Sequence, residues 1–208
     1  MKVQILLLAN SKKLGGRCLA GLRTDTWEWV RPVTDSEHGD VARKDCIVNG
    51  APLMPLDVIS LELGRHVPRK HQKENHLFDL ESIRREATAE VQAVSHFLDI
   101  ATGQLPYLVT DPAVKVSPDI FDQAKEPQPS LALIKVESAK VQDVGQSSRE
   151  ISFTFQNRFW ALKLTDDNFS PEAKNFELGP SYLCISLGEL FEEKNAHWKF
   201  VAAAIPMT

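Results

Sequence analysis

A short apolar run near the N-terminus is the feature that most constrains the fold. Val3 and the segment 5–8 are apolar, and the run is too short for a globular helix, so it predicts a buried strand. Polar and glycine residues that a core does not need follow directly, in the stretch 9–33. This stretch is therefore predicted to carry the working surface of the protein.

The polar stretch begins with short hydrogen-bonding side chains and two lysines, and a glycine pair follows them. Glycine permits positive φ and the close approach of another backbone. An arginine beside such a turn suits a backbone nest that holds a phosphate, whereas the alternative is an ordinary β-turn with solvated lysines. The candidate ligand-binding residues here are Asn10, Ser11, Lys12, Gly15, Gly16 and Arg17.

After the glycine pair a strand is expected over residues 18–23, followed by a turn at 24–26. The strand that returns from this second turn is expected to place Trp27, Trp29 and Arg31 on one face, since side chains alternate along a strand. Pro32 then ends the pairing because it has no N–H to donate. The indoles suit a face on which bases stack, as in single-strand binders, but tryptophans at this spacing are equally typical of a core face. Trp29 and Arg31 are the candidate ligand residues of this face.

A basic, imidazole-rich run at 64–76 follows a predicted strand at 57–63. Within it the letters HQKEN supply amides able to pair with an adenine edge, together with one carboxylate. The alternative is a polar surface loop. The candidate ligand residues of this run are His71, Gln72, Glu74 and Asn75.

The same run allows two metal hypotheses. A zinc site would use His66, His71, Glu74 and His76, whose spacing fits no standard zinc pattern. A Mg²⁺ site would combine Glu74 with Asp57 or Asp79, although carboxylates near strand ends are common without a metal. We predict no metal, no cofactor and no catalytic residue.

The pattern changes after this run. Apolar residues recur at spacings of three and four, which predicts a helix over residues 80–98, with Asp79 as its N-cap and Gly103 as its stop. Residues 105–129 contain several prolines and no sustained period, which predicts a connection between domains. The predicted domains are an N-terminal barrel over 1–104, which includes the helix, and a C-terminal barrel over 130–208. Within the latter a short helical turn is expected at 171–178.

Several phrases of the chain are similar to those of one known family. LANSKKLGGRCLAG and WEWVRP, followed by DVISLEL and HQKEN and later by FWALKLTDDNF, LCISLGELF and WKFVAAAI, resemble bacterial dual OB-containing domains over nearly the whole chain. The resemblance implies a mostly β protein with minor α content, built from two small OB-like barrels, and a ligand of the nucleic-acid or nucleotide class without a named reaction. About five predicted strands in each half agree with such barrels.

The net charge and its distribution along the chain indicate which half is suited to an anionic ligand. The net charge of −4 argues against a protein that coats nucleic acid non-specifically, since that mode needs many cations. Residues 1–76 hold 12 Lys and Arg against 9 Asp and Glu, which leaves a balance of −7 for the rest of the chain. The N-terminal half is therefore the expected site for an anionic ligand.

Three cysteines without CxxC spacing support neither a disulfide framework nor a zinc ribbon. No signal peptide and no membrane-spanning stretch are recognisable, which predicts a cytoplasmic protein. We therefore predict a cytoplasmic, non-catalytic module that recognises nucleic acid or a nucleotide-like ligand. One alternative is a Mg²⁺-dependent enzyme that acts on nucleic acid or nucleotides through Glu74 and nearby Asp and His; the other is a module that docks a protein partner through its acidic C-terminal half.

Overall fold

The computed structural model describes residues 1–98, 106–145, 148–166, 168–169 and 174–207. Strands dominate these residues, and the helices are short: Pro106–Val109 and Asp119–Asp122 are α-helical, while Arg43–Cys46, Val91–Phe97 and Glu192–Lys194 are 3₁₀. The prediction of a mostly β protein is confirmed. Across the described ranges no helix is both long enough and apolar enough to span a membrane.

Five strands of the N-terminal half close into a barrel. They are β1 (Lys2–Lys13), β2 (Gly16–Arg23), β3 (Trp29–Val33), β6 (Asp57–His66) and β7 (Asn75–Thr88), with a separate two-stranded ribbon of β4 (Ile47–Val48) and β5 (Ala51–Pro52) between β3 and β6. The barrel order is β1-β2-β3-β7-β6. Its pairs are antiparallel except β3 with β7, which run parallel. This is the OB-like barrel that was predicted.

The C-terminal half forms a second sheet with a similar plan. Its strands are β8 (Lys115–Val116), β9 (Leu131–Val136), β10 (Ala139–Gly145), β11 (Ser148–Phe155), β12 (Arg158–Leu164), β13 (Asn175–Leu178), β14 (Ser181–Phe191) and β15 (Ala196–Pro206). The order is β13-β10-β11-β12-β15-β14-β9, with β8 on β15. β12 runs parallel to β15, as β3 does to β7 in the first barrel. This arrangement is consistent with a second OB-like barrel.

The N-terminal apolar run shows how the two halves are joined. Ile5 and Leu7 lie in the core of the first barrel, while Leu6 and Leu8 belong to a cluster that the second half completes. Alternate residues of a strand face opposite sides, so a run without polar interruption is a strand that is buried on both faces. We call this cluster the shared core; it includes Leu6, Leu8, Ala20 and Leu22 from the first half and Leu131, Leu133, Tyr182 and Cys184 from the second.

The predicted helix over residues 80–98 is wrong over residues 80–88, and in its last part a 3₁₀ helix takes the place of the expected α-helix. Asn75–Thr88 is β7, and Val91–Phe97 is a 3₁₀ helix. The pairing of β7 with β6 has register shifts in several places, and such irregularities break the two-residue alternation of a strand. The apolar spacing then imitates a helix. Asp79 accordingly lies inside a strand and is not an N-cap, while Gly103 is outside the described residues.

Two further predictions concern segments that the structure describes only in part or not at all. The expected helical turn at 171–178 is wrong over Asn175–Leu178, which form β13; residues 171–173 lie outside the described part. The predicted domain boundary at 104–105 also lies outside it, so that boundary stays a prediction.

Gly21 provides a test of barrel packing. A Cβ at this position would lie 2.2 Å from the Leu6 carbonyl oxygen and 2.6 Å from an Ile5 methyl, so Gly21→Ala is expected to lower the free energy of unfolding by about 1–3 kcal/mol, the usual effect of overpacking. At Gly179 a Cβ would meet no atom within 4 Å, so Gly179→Ala should be close to neutral and supplies the control. Chemical denaturation measures both, and equal stability of the two variants would contradict the packing argument.

Candidate ligand-binding site

The first group of predicted residues lies at the turn end of the β1–β2 hairpin, and Asn10, Ser11 and Arg17 of this group are buried. Asn10, Ser11 and Arg17 are at most 8% exposed. Asn10 donates from Nδ2 to the Leu53 carbonyl at 2.8 Å, and Arg17 donates from a guanidinium nitrogen to the Asn10 carbonyl at 3.5 Å. Lys12 and Gly15 are exposed at the surface. The group therefore mixes internal supports with two surface residues.

The hairpin turn does not form the predicted nest. Positive φ falls on Leu14, at 43°, and on neither glycine. The close backbone approach predicted for this pair is confirmed at Gly16, where a Cβ would lie 2.6 Å from the Val41 carbonyl oxygen. The Arg17 N–H donates to that same oxygen at 2.7 Å. An amide that the nest needs for an anion is thus bonded inside the fold.

The predicted stacking face is wrong in its geometry. β3 begins at Trp29, and Trp27 precedes it with a φ of 59°. Trp27 stacks on Phe97 with ring centroids 4.0 Å apart. Both indoles pack against the shared core, because this contact removes their large apolar surface from water. They do not form an open platform for bases.

Arg31 is 2% exposed and connects the two halves. It donates to the hydroxyls of Ser130, at 2.8 Å, and Ser186, at 3.3 Å, and also to the Cys18 sulfur. Burial alone would lower the pKa of Arg31, but the neighbouring Cys18 and Glu74 outweigh it and raise the pKa. The guanidinium is therefore charged inside the protein.

Glu74 completes this arrangement. Its Oε1 accepts hydrogen bonds from the Ser130 N–H, at 2.9 Å, and from the Ser130 hydroxyl. Ser130 thus links the Glu74 carboxylate to the Arg31 guanidinium. We call Arg31, Glu74, Ser130 and Ser186 the buried junction. Its position argues that Arg31 and Glu74 hold the two halves together.

The remaining HQKEN residues lie next to the buried junction. Gln72 and Asn75 are each 2% exposed, and Asn75 donates from Nδ2 to Gln72 Oε1 at 3.1 Å. His71 packs on His197, with ring centroids 4.3 Å apart, and on the edge of Phe121. Burial, followed by the proximity of His197, lowers the pKa of His71 to about 3. His71 is therefore a neutral, largely buried ring.

The residues of the two metal hypotheses are dispersed. His66 and His76 stack on each other, whereas His71 packs on His197 and Glu74 serves the buried junction. Asp57 accepts hydrogen bonds from the Met54 N–H and the Thr88 hydroxyl. In the part of the chain that the structure describes, no three His, Cys, Asp or Glu side chains lie together as a metal site needs.

Buried polar atoms without a hydrogen-bond partner concentrate among the predicted residues. Over the described ranges there are eight such side-chain atoms, and six belong to these residues: Asn10 Oδ1, Trp29 Nε1, Arg31 Nε, His71 Nε2, Glu74 Oε2 and Asn75 Oδ1. Buried polar groups in folded proteins are nearly always bonded to protein or to ordered water. These atoms therefore mark a region suited to bound water or to polar groups of a ligand.

Three basic side chains of the first half converge on one carboxylate of the second. Lys13 Nζ and Arg69 NH1 each lie 2.9 Å from Glu189 Oε1, and His38 Nδ1 lies 2.9 Å from Oε2. Arg69 also donates to the Glu37 carbonyl at 2.8 Å. We call Lys13, His38, Arg69 and Glu189 the Glu189 cluster.

A groove of about 270 Å³ shares Arg69 with this cluster. Arg65 and Arg69 line it, as do Asn75 of β7 and Thr34 and Asp35 of the β3–β6 connection. Asn75 therefore belongs to the groove as well as to the buried surroundings of the junction. The groove therefore brings two arginines together with Asn75, whose Oδ1 has no hydrogen-bond partner, at one concave surface.

Several residues of the junction, the cluster and the groove were not predicted from the sequence. Arg65 and Arg69 belong to the basic run that the sequence revealed, so their charge was a usable signal, but they were not chosen as ligand residues. Ser130, Ser186 and Glu189 come from the second half and carry no local motif. Only the packing of the two halves brings them to this place.

Comparison with known proteins shows the family to which the chain belongs. A family model described as a dual OB-containing domain matches residues 3–204. No curated protein matches the chain.

Two solved structures show a weak likeness. The crystal structure of the tetrameric p202 HIN2 has a TM-score of 0.35 and 10% identity, over 100% of this chain and 92% of that one. The structure of a murine DNA binding protein bound with ds DNA has a TM-score of 0.31 and 6% identity, over 99% of both chains.

The burial of Arg31 predicts a structural role. Arg31→Ala is expected to lower the free energy of unfolding by about 3–5 kcal/mol, because it leaves the Glu74 carboxylate buried without its cation. Arg23 supplies the control, since it pairs with Asp25 at the surface and Arg23→Ala should change stability far less. Urea denaturation measures both. An Arg31→Ala protein as stable as the Arg23→Ala protein would show that the junction does not support the fold.

The lowered pKa of His71 predicts that the folded protein loses stability in acid. The unfolded chain protonates this ring below about pH 6.5, whereas the folded protein keeps it neutral down to about pH 3, so the unfolded state binds more protons over that interval. Stability should therefore fall as the pH drops from 7.5 to 5, by at most about 1.4 kcal/mol per pH unit from this one group.

The matched variants are His71→Gln and, as a control, His96→Gln at an exposed histidine. His71→Gln should flatten the pH dependence of the denaturation midpoint, while His96→Gln should leave it unchanged. Part of the slope will remain, because burial also lowers the pKa of His76 and His197. An unchanged slope in His71→Gln would contradict the assignment.

Proposed function

Because this chain belongs to the family of dual OB-containing domains, we propose that it is a binding module which recognises nucleic acid or a nucleotide-like ligand at the groove of its N-terminal half. The observation that carries the proposal is the combination of Arg65, Arg69 and Asn75 in one concavity. Guanidiniums bind phosphate oxygens by paired, charge-assisted hydrogen bonds. An amide oxygen accepts from the N–H groups of a base edge.

The position of the groove in the barrel supports the proposal. OB folds meet oligonucleotides with the face of strands two and three and with the loops that follow strands one and four. In the first barrel these loops are the β1–β2 turn and the 67–74 segment between β6 and β7. Lys13, at the end of β1, and Arg69, in the 67–74 segment, both reach the Glu189 cluster. Arg69 of the groove therefore comes from one of the two loops that this fold uses for binding, and Lys13 lies beside the other.

The strand face itself is not available in the first barrel. Ala20 and Leu22 of β2 are buried in the shared core, so the second half covers the surface on which bases would stack. The proposed contacts accordingly come from the barrel end. Of the residues predicted from sequence, the proposal retains Asn75 as a ligand contact and assigns the buried Asn10, Arg17, Arg31 and Glu74 to support of the site.

The size of the groove limits what it holds. Its volume of about 270 Å³ is just below the range of roughly 300–1,000 Å³ that is usual for small-molecule sites. This space suits one nucleotide unit and not a long segment. A longer strand would place one unit in the groove and extend over the exposed surface.

The geometry supports binding without catalysis better than the Mg²⁺-dependent alternative. Glu74, the carboxylate which that enzyme needs, is buried and accepts both donors of Ser130. A protein partner for the acidic C-terminal half stays a prediction. The exposed Leu190 and Phe191, beside Glu192, support it.

Arg65 provides the test of the proposed groove. Fluorescence anisotropy with labelled single-stranded DNA, duplex DNA and RNA measures binding across a salt series. We expect affinity to fall with salt on a shallow slope, since few phosphates are contacted, and Arg65→Gln to weaken binding by about tenfold and to reduce the slope by about one.

Arg84→Gln is the matched control, because Arg84 is an exposed arginine on the same barrel that does not line the groove. It should bind like the wild-type protein. The proposal fails if none of the three probes binds, or if Arg65→Gln and Arg84→Gln reduce affinity equally.

A further inference from the structure

We propose that the carboxylate of Glu189 occupies the position of a ligand phosphate, and that an anionic ligand entering the groove must displace it. This inference rests on the proposed function, because it concerns how the same site is regulated. Glu189 would then be an internal competitor, contributed by the second half of the chain, for the cations of the first.

The first argument is the excess of positive charge. Lys13, His38 and Arg69 come from three separate segments, the end of β1, the β3–β6 connection and the 67–74 segment, and each contacts Glu189 at 2.9 Å. Lysine and arginine alone bring two permanent positive charges, and the carboxylate neutralises one. Structural ion pairs need only one cation for each carboxylate, so this cluster keeps the capacity to attract a further anion.

The ionisation state of Glu189 is consistent with this role. Burial alone would raise the pKa of the carboxyl, but the hydrogen bond and charge of Lys13, followed by His38 and Arg69, outweigh burial and lower the pKa. Glu189 therefore carries a full negative charge near neutral pH, as a phosphate does. The side chain keeps 24% of its surface exposed, so solvent and ions reach the cluster.

The second argument is that the cluster and the groove share Arg69. Arg69 lines the groove, and its guanidinium donates to Glu189 and to the Glu37 carbonyl. A phosphate in the groove would compete for these same N–H groups. The phosphodiester of a nucleic acid carries one negative charge on two free oxygens, as a carboxylate does, so it is able to replace Glu189 when the rest of the ligand adds contacts such as those to Arg65 and Asn75.

Displacement would also act on the contact between the two halves. Glu189 lies near the end of β14 in the second half, whereas its three partners all belong to the first. Release of its carboxylate removes three contacts across the halves at one edge of the molecule. By thermodynamic reciprocity, anything that loosens this edge favours ligand binding to the same extent.

Glu189→Gln tests the inference, with Glu193→Gln as the matched control. Glu193 is an exposed carboxylate four residues further along the chain, so its replacement removes the same charge without opening the cluster. Anisotropy with labelled single-stranded DNA and RNA at low salt gives the affinities, and thermal melting reports the fold. We expect Glu189→Gln to bind about tenfold more tightly than the wild-type protein, as expected for loss of a competing charge-assisted contact, and Glu193→Gln to change affinity much less.

A second variant, Glu189→Asp, keeps the charge on a side chain one methylene shorter and guards against misfolding of the first. It should loosen the cluster and give an affinity between those of the wild type and Glu189→Gln. Weaker binding by both Glu189 variants would show that the carboxylate organises the cations for the ligand. Equal gains in affinity in Glu189→Gln and Glu193→Gln would show that the gain comes from the change in net charge alone. Either result overturns the inference and leaves the proposed function standing. If neither the wild type nor Glu189→Gln binds any probe, the proposed function fails, and the inference fails with it.

Discussion

The shared core between the two halves is the constraint on which the rest of the structure depends. β1 and β2 are buried on both faces, one against the interior of their own barrel and the other against the second half. Burial of apolar surface is the main favourable contribution to folding, and here much of it exists only when both halves are in place. The two barrels are therefore one packing unit, although each repeats a similar strand plan.

This packing determines where polar chemistry is possible. The outer face of β2, which in an isolated OB barrel is open to a ligand, is covered, and the two tryptophans near β3 are drawn into the shared core. Polar groups at the edge of the contact between the halves then form hydrogen bonds across it, as Arg31 does with Ser130 and Ser186. A buried charge is tolerated only with such partners. The barrel end is left as the place where cations remain accessible.

The candidate site is consequently a composite. Its buried part, around Arg31 and Glu74, fixes the relative position of the halves, while its accessible part, around Arg65 and Arg69, carries the charge that a phosphate needs. Asn75 lies between them, because it pairs with Arg31 in the parallel β3–β7 register and also lines the groove. Ligand binding and the contact between halves are linked through Glu189 in our proposal for the same reason: the anion and its cations belong to different halves.

The sequence by itself determined the strands whose apolar pattern is regular, such as β1 and β6, the mostly β class and the region in which polar groups gather. It failed at β7, because register shifts interrupt the alternation and leave a spacing that imitates a helix, and at Trp27, because a left-handed residue ends the alternation before β3 begins. Local pattern encodes which residues avoid water, but it does not specify which surface covers them. Only the tertiary structure decided that Arg31 faces Ser130 and that Glu189 meets Lys13 and Arg69, since these contacts join residues far apart in the chain and depend on how one barrel packs against the other.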